Sequence, residues 1–304
     1  MHINAEANVG EAQVPVAAPR ATIPANWSLA FVILAAGFLF WPVIRHLVGQ
    51  WYTDSDYSHG FVVPLFSGWL IWRKRDELAR VARKPNAWGL VVIAGSIGLL
   101  FLGSLGAELF LTRVGLLGII VGMIVFLHGV PMLRAIAFPI AFLLMMVPLP
   151  AVIYNQIVFP LQLLASRFAG ECLQTTRVIP VLREGNLLIL PNYTLEIVEA
   201  CSGIRSLMSL LALALAYGYL AERSLALRWL LFLAMVPIAV ISNGFRVVGT
   251  AFVTYYFGPK AGEGFLHQFA GLAIFISATF LILLVHKLLR VAHDGWLRAR
   301  KGAA

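Results

Sequence analysis

Apolar residues run in long blocks along this chain, separated by short polar stretches. Eight blocks reach or approach membrane-spanning length: 27–48, 59–72, 87–106, 112–129, 132–150, 203–221, 226–246 and 266–288. They are continuous rather than alternating, which predicts helices and excludes the strand pattern of an outer-membrane barrel. Backbone facing lipid must satisfy its own hydrogen bonds, so the expected fold is an all-α polytopic membrane protein. The block at 59–72 is short and must tilt or be held by neighbours. Pro42, Pro64, Pro139 and Pro237 fall inside blocks and predict kinks there.

The polar stretches set the rest of the plan. Residues 1–25 are polar and rich in Ala and Pro; they predict a disordered cytoplasmic tail and carry no cleavable signal pattern. The one long connection is 151–202. It begins with an amphipathic helical piece, Ile153 to Leu173, in which Cys172 reads as a core residue. Val178 to Leu182, a Glu184-Gly185-Asn186 turn, Leu187 to Leu190 and Thr194 to Val198 follow. These read as a small β-hairpin-like insertion on the membrane face, with an irregular loop as the alternative. The domain plan is a tail over 1–25, a single transmembrane domain over 26–290 and a basic cytoplasmic tail over 291–304.

Composition sharpens this picture. Of 304 residues, 60% are apolar and 12% charged, and the mean hydropathy is +0.86. Those values exclude an ordinary soluble enzyme, a disordered protein and a disulfide scaffold. Lys and Arg number 23 against 14 Asp and Glu. Six of the basic residues lie between Arg73 and Lys84, and five from Lys287 onward. With eight spans these fall on the same side as Arg20, Arg134, Arg223 and Arg228, and the positive-inside rule makes that side cytoplasmic. Both termini are then inside. The 49–58 loop, the 107–111 turn, the long connection and the 247–265 loop are outside. Trp27, Trp41, Trp51 and Trp88 read as interfacial anchors. No stretch interleaves basic and aromatic residues as a nucleic-acid groove does, so no nucleic acid is expected. Cys172 and Cys201 have no metal-ligand spacing, and no metal or cofactor is expected.

The informative chemistry sits where the last three spans meet the outer face. Cys201 opens the sixth span, Arg246 closes the seventh and His267 opens the eighth. A cysteine at a helix start near an arginine has a populated thiolate. An imidazole moves protons near neutral pH, and a guanidinium can hold an oxyanion. The three together are the parts of a cysteine acyl-transfer site. Arg205 lies one turn from Cys201, Asn243 one turn before Arg246, and His59 ahead of the second span; each can support the site or play a local structural part. Ser202 stands beside the nucleophile, and Glu199 and Glu263 fall near the outer face, where either could orient His267. His128 and His286 fall near cytoplasmic ends and suggest no metal or haem pair. A Cys172–Cys201 disulfide would block the nucleophile.

Three stretches resemble the exosortase/archaeosortase family: Ala200-Cys201-Ser202-Gly203-Ile204-Arg205-Ser206-Leu207; Asn243 and Arg246 followed by His267; and Tyr57-Ser58-His59-Gly60-Phe61-Val62-Val63-Pro64 ahead of a Trp-x-x-Trp and a basic loop. The resemblance runs over about residues 30–290, and the length is similar to that of the short exosortases of the B type. It implies a cysteine enzyme of the bacterial inner membrane, with the active residues at Cys201, Arg246 and His267. It also implies substrates: exported proteins that end in a Pro-Glu-Pro motif, a transmembrane helix and a basic tail. These are cleaved and passed to an envelope polysaccharide or lipid, or to water. Two other readings stay open. A small-solute transporter would carry polar residues at the bilayer midplane and paired broken helices, which are not evident here. A non-catalytic membrane factor for exopolysaccharide export would not need Cys201.

Overall fold

In the computed structural model the described residues are 25–197, 204–263 and 265–302. The chain divides into two units, Met1–Trp41 and Pro42–Ala304. The described part of the first is α1 (Ala25–Leu39). In chain order there follow α2 (Trp41–Thr53), a 3-10 helix (Ser55–Phe61), α3 (Val62–Arg73), α4 (Arg75–Leu78), α5 (Trp88–Leu105) and α6 (Leu109–His128). Next come α7 (Val130–Ala135), α8 (Ala137–Phe142), a 3-10 turn (Leu143–Met146) and α9 (Ala151–Thr176). Three short strands, β1 (Leu182–Glu184), β2 (Leu187–Ile189) and β3 (Thr194–Glu196), precede α10 (Ile204–Ala221), α11 (Leu225–Phe257), α12 (Pro259–Glu263) and α13 (Phe265–Gly302). The expected tail at 1–25 lies almost wholly outside the described residues. The expected tail from 291 begins as continuous helix, because α13 runs to Gly302.

The helical class matches the hydrophobic pattern, but the eight blocks do not become eight helices of spanning length. Among the described residues four helices are long and apolar enough to cross a membrane, or up to six if each of two broken pairs makes one span. Local chemistry explains the differences. Asp54 caps the 3-10 helix, its Oδ1 accepting the Asp56 N–H at 3.0 Å, so α3 starts only at Val62. The block at 132–150 is broken. Val147 is extended ahead of Pro148, and α9 leaves after Pro150 with its axis turned by 79°. Three of the four prolines expected to kink a helix occupy first turns instead. Pro42, Pro64 and Pro139 are the second or third residues of α2, α3 and α8, where the missing N–H has no intrahelical partner to lose. Of these four only Pro237 is interior, in α11.

The hairpin reading holds and extends to a third strand. β1, β2 and β3 form an antiparallel sheet in that order, with Glu184 opposite Leu187 and Ile189 opposite Thr194. Gly185, at φ +61°, makes the first tight turn. Leu188 and Ile197 are fully buried against Ala165 and Ala169 of α9 and Val247 of α11. Ile179 and Leu190 pack with Leu173 and Ala251 in the same way. The sheet therefore covers the last three turns of α11. A second core joins α10, α11 and α13 through Leu207, Leu210, Leu231, Met235, Ala278 and Ile282.

Two sequence expectations fail for single residues. Trp51 is no interfacial anchor: its ring is buried and its Nε1–H donates to the Met146 carbonyl at 3.0 Å. Cys172 is only half-buried, and it is a free thiol.

Candidate active site

α10, α11 and α13 form the scaffold of the candidate site, and their common origin lies at the end of the bundle where α10 stops. Glu222, just past α10, is 6% exposed. Its Oε1 meets His286 Nε2 at 2.6 Å, and His286 Nδ1 meets the Tyr217 hydroxyl at 2.7 Å. Arg290 Nε lies 3.2 Å from the same carboxylate oxygen. Arg228 of α11 donates from Nε to the Glu222 carbonyl at 2.8 Å. Its guanidinium lies over the Tyr219 ring, as does the Lys74 ammonium from the basic loop. One buried carboxylate thus ties α10 to α13, and its backbone ties α10 to α11.

From this node the three helices climb together. Arg205 is 17 residues from Glu222, Arg246 is 18 from Arg228 and His267 is 19 from His286. At ~1.5 Å per residue these are separations of about 26, 27 and 29 Å. Arg205, Arg246 and His267 thus stand at similar helical lengths from the node. The distance is close to the ~30 Å of a bilayer's hydrocarbon core. His267 and Arg205 are described here as helix positions only, the third residue of α13 and the second of α10. Cys201 and Ser202, with Glu199, lie outside the described residues.

Arg246 does not close its helix as the hydrophobic block suggests. α11 continues three turns further because Val247, Ala251 and Thr254 remain buried. Arg246 sits where the three-helix core ends and the sheet core begins. It is 8% exposed, and Asn243 on the same face is buried with it. The Arg246 carbonyl accepts from Thr250 Oγ1 at 3.0 Å. Gly244 lets α9 approach: a Cβ there would run into the Phe168 ring. Ile197, the last described residue before the Cys201 segment, is bonded to Asn186 by its N–H at 3.0 Å and packs in one cluster with Val247. The structure therefore puts Asn243 and Arg246 on one buried face of α11, gives Arg205 and His267 to the first turns of the two helices that share its core, and anchors the strand that leads toward Cys201.

The Tyr57–Phe61 motif has a local task. His59 Nε2 meets the Met145 carbonyl at 3.1 Å, and Trp51 donates to Met146 next door. The Trp51 indole occupies the place a Cβ on Gly60 would take. Tyr57 is buried in the same core, and burial pushes its hydroxyl pKa up to about 12. Burial also holds the His59 imidazole below its ordinary pKa, against the bond to the Met145 carbonyl, so its neutral form is favoured. The motif clasps the 3-10 helix to the break before α9. The sequence reading missed the node at Glu222 and a buried Arg113 in α6. A lone Glu just past a helix with no other acid, and a lone Arg one turn into an apolar one, were the available signals.

Among the curated proteins and the solved structures, none matches this chain. The family model for the transmembrane exosortases matches residues 51–284. That stretch holds the 3-10 clasp, the sheet, α10, α11 and the first half of α13, and so this chain, a multi-pass membrane protein, belongs to the transmembrane exosortase family.

Proposed function

We propose that this protein is a membrane-embedded cysteine transpeptidase or protease that removes C-terminal sorting signals from exported proteins. The observation that carries the reading is Arg246: a buried guanidinium about as many residues along its helix from the Glu222 node as the starts of α10 and α13 are along theirs. A cation placed there is functional by default, since burial without a task is costly. Cys201 is four residues from Ile197, which shares a cluster with Val247. Four residues of chain span at most about 14 Å, which keeps the thiol within reach of the Arg246 region.

The proposed reaction runs through a thioester. The Cys201 thiolate attacks the scissile carbonyl, forming a C–S bond, and Arg246 holds the oxyanion. The C–N bond then breaks, and His267 gives its proton to the leaving amine. An amine or hydroxyl of an envelope polysaccharide or lipid, or water, attacks the thioester, gives its proton to His267 and releases the thiolate. Asn243 orients the guanidinium from one turn away, and Arg205 and Ser202 support the thiolate. The substrate is an exported protein with a Pro-Glu-Pro motif, a transmembrane helix and a basic tail. Its helix lies in the bilayer beside α10, α11 and α13. The membrane is the bacterial inner membrane, with both termini cytoplasmic and the site periplasmic.

The test is co-expression with a tagged reporter ending in such a tail, read by immunoblot. Wild type shortens the reporter and Cys201→Ala does not. Shortening by both, or by neither when each is folded and membrane-inserted, overturns the assignment.

A further inference from the structure

At the end of the bundle away from the basic loop, a cavity of about 410 Å3 opens among the 3-10 helix, the α5–α6 turn and the start of α9. Its floor is Arg113, 3% exposed. Nη2 donates to Gln50 Oε1 at 2.7 Å, while Nε is buried without a hydrogen-bond partner, and among the described residues no carboxylate forms an ion pair with the group. A buried guanidinium left in this state calls for an anion. The carboxylates that line the cavity are engaged locally. Asp54 Oδ1 accepts the Asp56 N–H, Glu108 Oε1 accepts the Phe110 N–H at 3.2 Å, and Asp56 Oδ2 accepts from the Tyr154 hydroxyl at 2.9 Å.

Three acids and one arginine leave the cavity negative overall. A simple anion entering it would be repelled by the walls as it is attracted by the floor. A ligand that carries an anion with a cation beyond it satisfies both. A second cavity of about 170 Å3 shares Ala107, Leu109 and Arg113 with the first and runs on past Pro42, Val43 and Gly103, between apolar helices. Arg113 is the fifth residue of α6, so its Cα lies about 6 Å along the helix from its start. One turn into a helix of spanning length is close to the membrane–water interface, where lipid headgroups lie.

We propose that Arg113 and its two cavities bind one zwitterionic phospholipid, with the phosphodiester on the guanidinium, the headgroup amine toward Glu108 and Asp54, and the top of an acyl chain in the smaller cavity. The site is independent of the peptidase reading and uses none of its residues.

The full-length protein in detergent, offered phosphatidylethanolamine and phosphatidylglycerol in equal amounts, tests this by native mass spectrometry. Wild type holds one phosphatidylethanolamine in preference to phosphatidylglycerol. Arg113→Gln lowers its retention about tenfold or more, the scale of a charge-assisted hydrogen bond. Glu108→Gln keeps the helix cap and the guanidinium but lowers the preference over phosphatidylglycerol severalfold. Equal retention by Arg113→Gln, or phosphatidylglycerol preferred by wild type, overturns the proposal. Displacement by inorganic phosphate marks an adventitious anion only, and displacement by a short acidic peptide marks a peptide site; either also overturns it.

Discussion

Removing the Glu222 carboxylate should destabilise the protein far more than removing the arginine that also touches it. His286 and Glu222 side chains are 9% and 6% exposed, so their 2.6 Å contact is in the buried regime. Breaking such a pair from one side costs about 3–5 kcal/mol, because the remaining group keeps its desolvation without its partner. The Arg290 side chain is 61% exposed, which puts its 3.2 Å contact with the same oxygen in the solvent-screened regime of about 1 kcal/mol or less. At roughly 2–4 °C per kcal/mol, Glu222→Ala lowers the midpoint of thermal unfolding by about 6–20 °C, and Arg290→Ala by less than about 4 °C. Tryptophan fluorescence of the detergent-solubilised protein reads both. In a double-mutant cycle, Glu222→Ala and His286→Ala couple by about 1.5–3 kcal/mol. Equal losses in the two single variants would refute the reasoning. So would additivity of Glu222 and His286 within ~0.5 kcal/mol.

Further outcomes follow from the clasp and the site. Gly60→Ala drives a methyl group into the Trp51 indole and costs about 1–3 kcal/mol as overpacking, seen as a lower unfolding midpoint; an unchanged midpoint would show that the ring moves freely. Arg246→Lys abolishes reporter processing while the protein stays membrane-inserted, since an ammonium lacks the planar fork; near-normal processing contradicts the assigned role. For His59 the sign of the pH effect is set by burial. Its folded pKa lies below the ordinary 6.5, so the unfolded chain binds the proton first as pH falls. The stabilisation is present above about pH 6.5 and is lost as pH drops through the folded value. Unfolding midpoints from pH 7.5 to 5 therefore fall more steeply for wild type than for His59→Asn, and parallel curves would contradict this.

Much of this fold is legible because lipid-facing helices follow a simple rule of apolarity and length. α5 and α6 emerge within three residues of their blocks at either end. The Glu184-Gly185-Asn186 turn announces the sheet, since Gly185 takes the positive φ a tight turn needs. What hydropathy hides is how long a helix stays buried by protein rather than lipid. α11 runs past Arg246 because the sheet covers its far turns, and a block read on apolarity ends at the first cation. The prolines mislead for a related reason: position within a helix, not presence, decides whether a proline breaks it. Cys201, Arg246 and His267 stand out by residue type at the ends of apolar blocks. Glu222, His286 and Arg113 do not, because their pairing depends on tertiary contacts between distant segments.

The proposed reaction turns on a thioester at Cys201, and hydroxylamine trapping detects that bond itself. Membranes holding wild type and the tagged reporter are treated with hydroxylamine, and the reporter's new C-terminus is read by mass spectrometry. A hydroxamate is expected at the cleavage point with wild type and none with Cys201→Ala. A cleaved reporter without hydroxamate at any dose, or the same hydroxamate from Cys201→Ala, would contradict it.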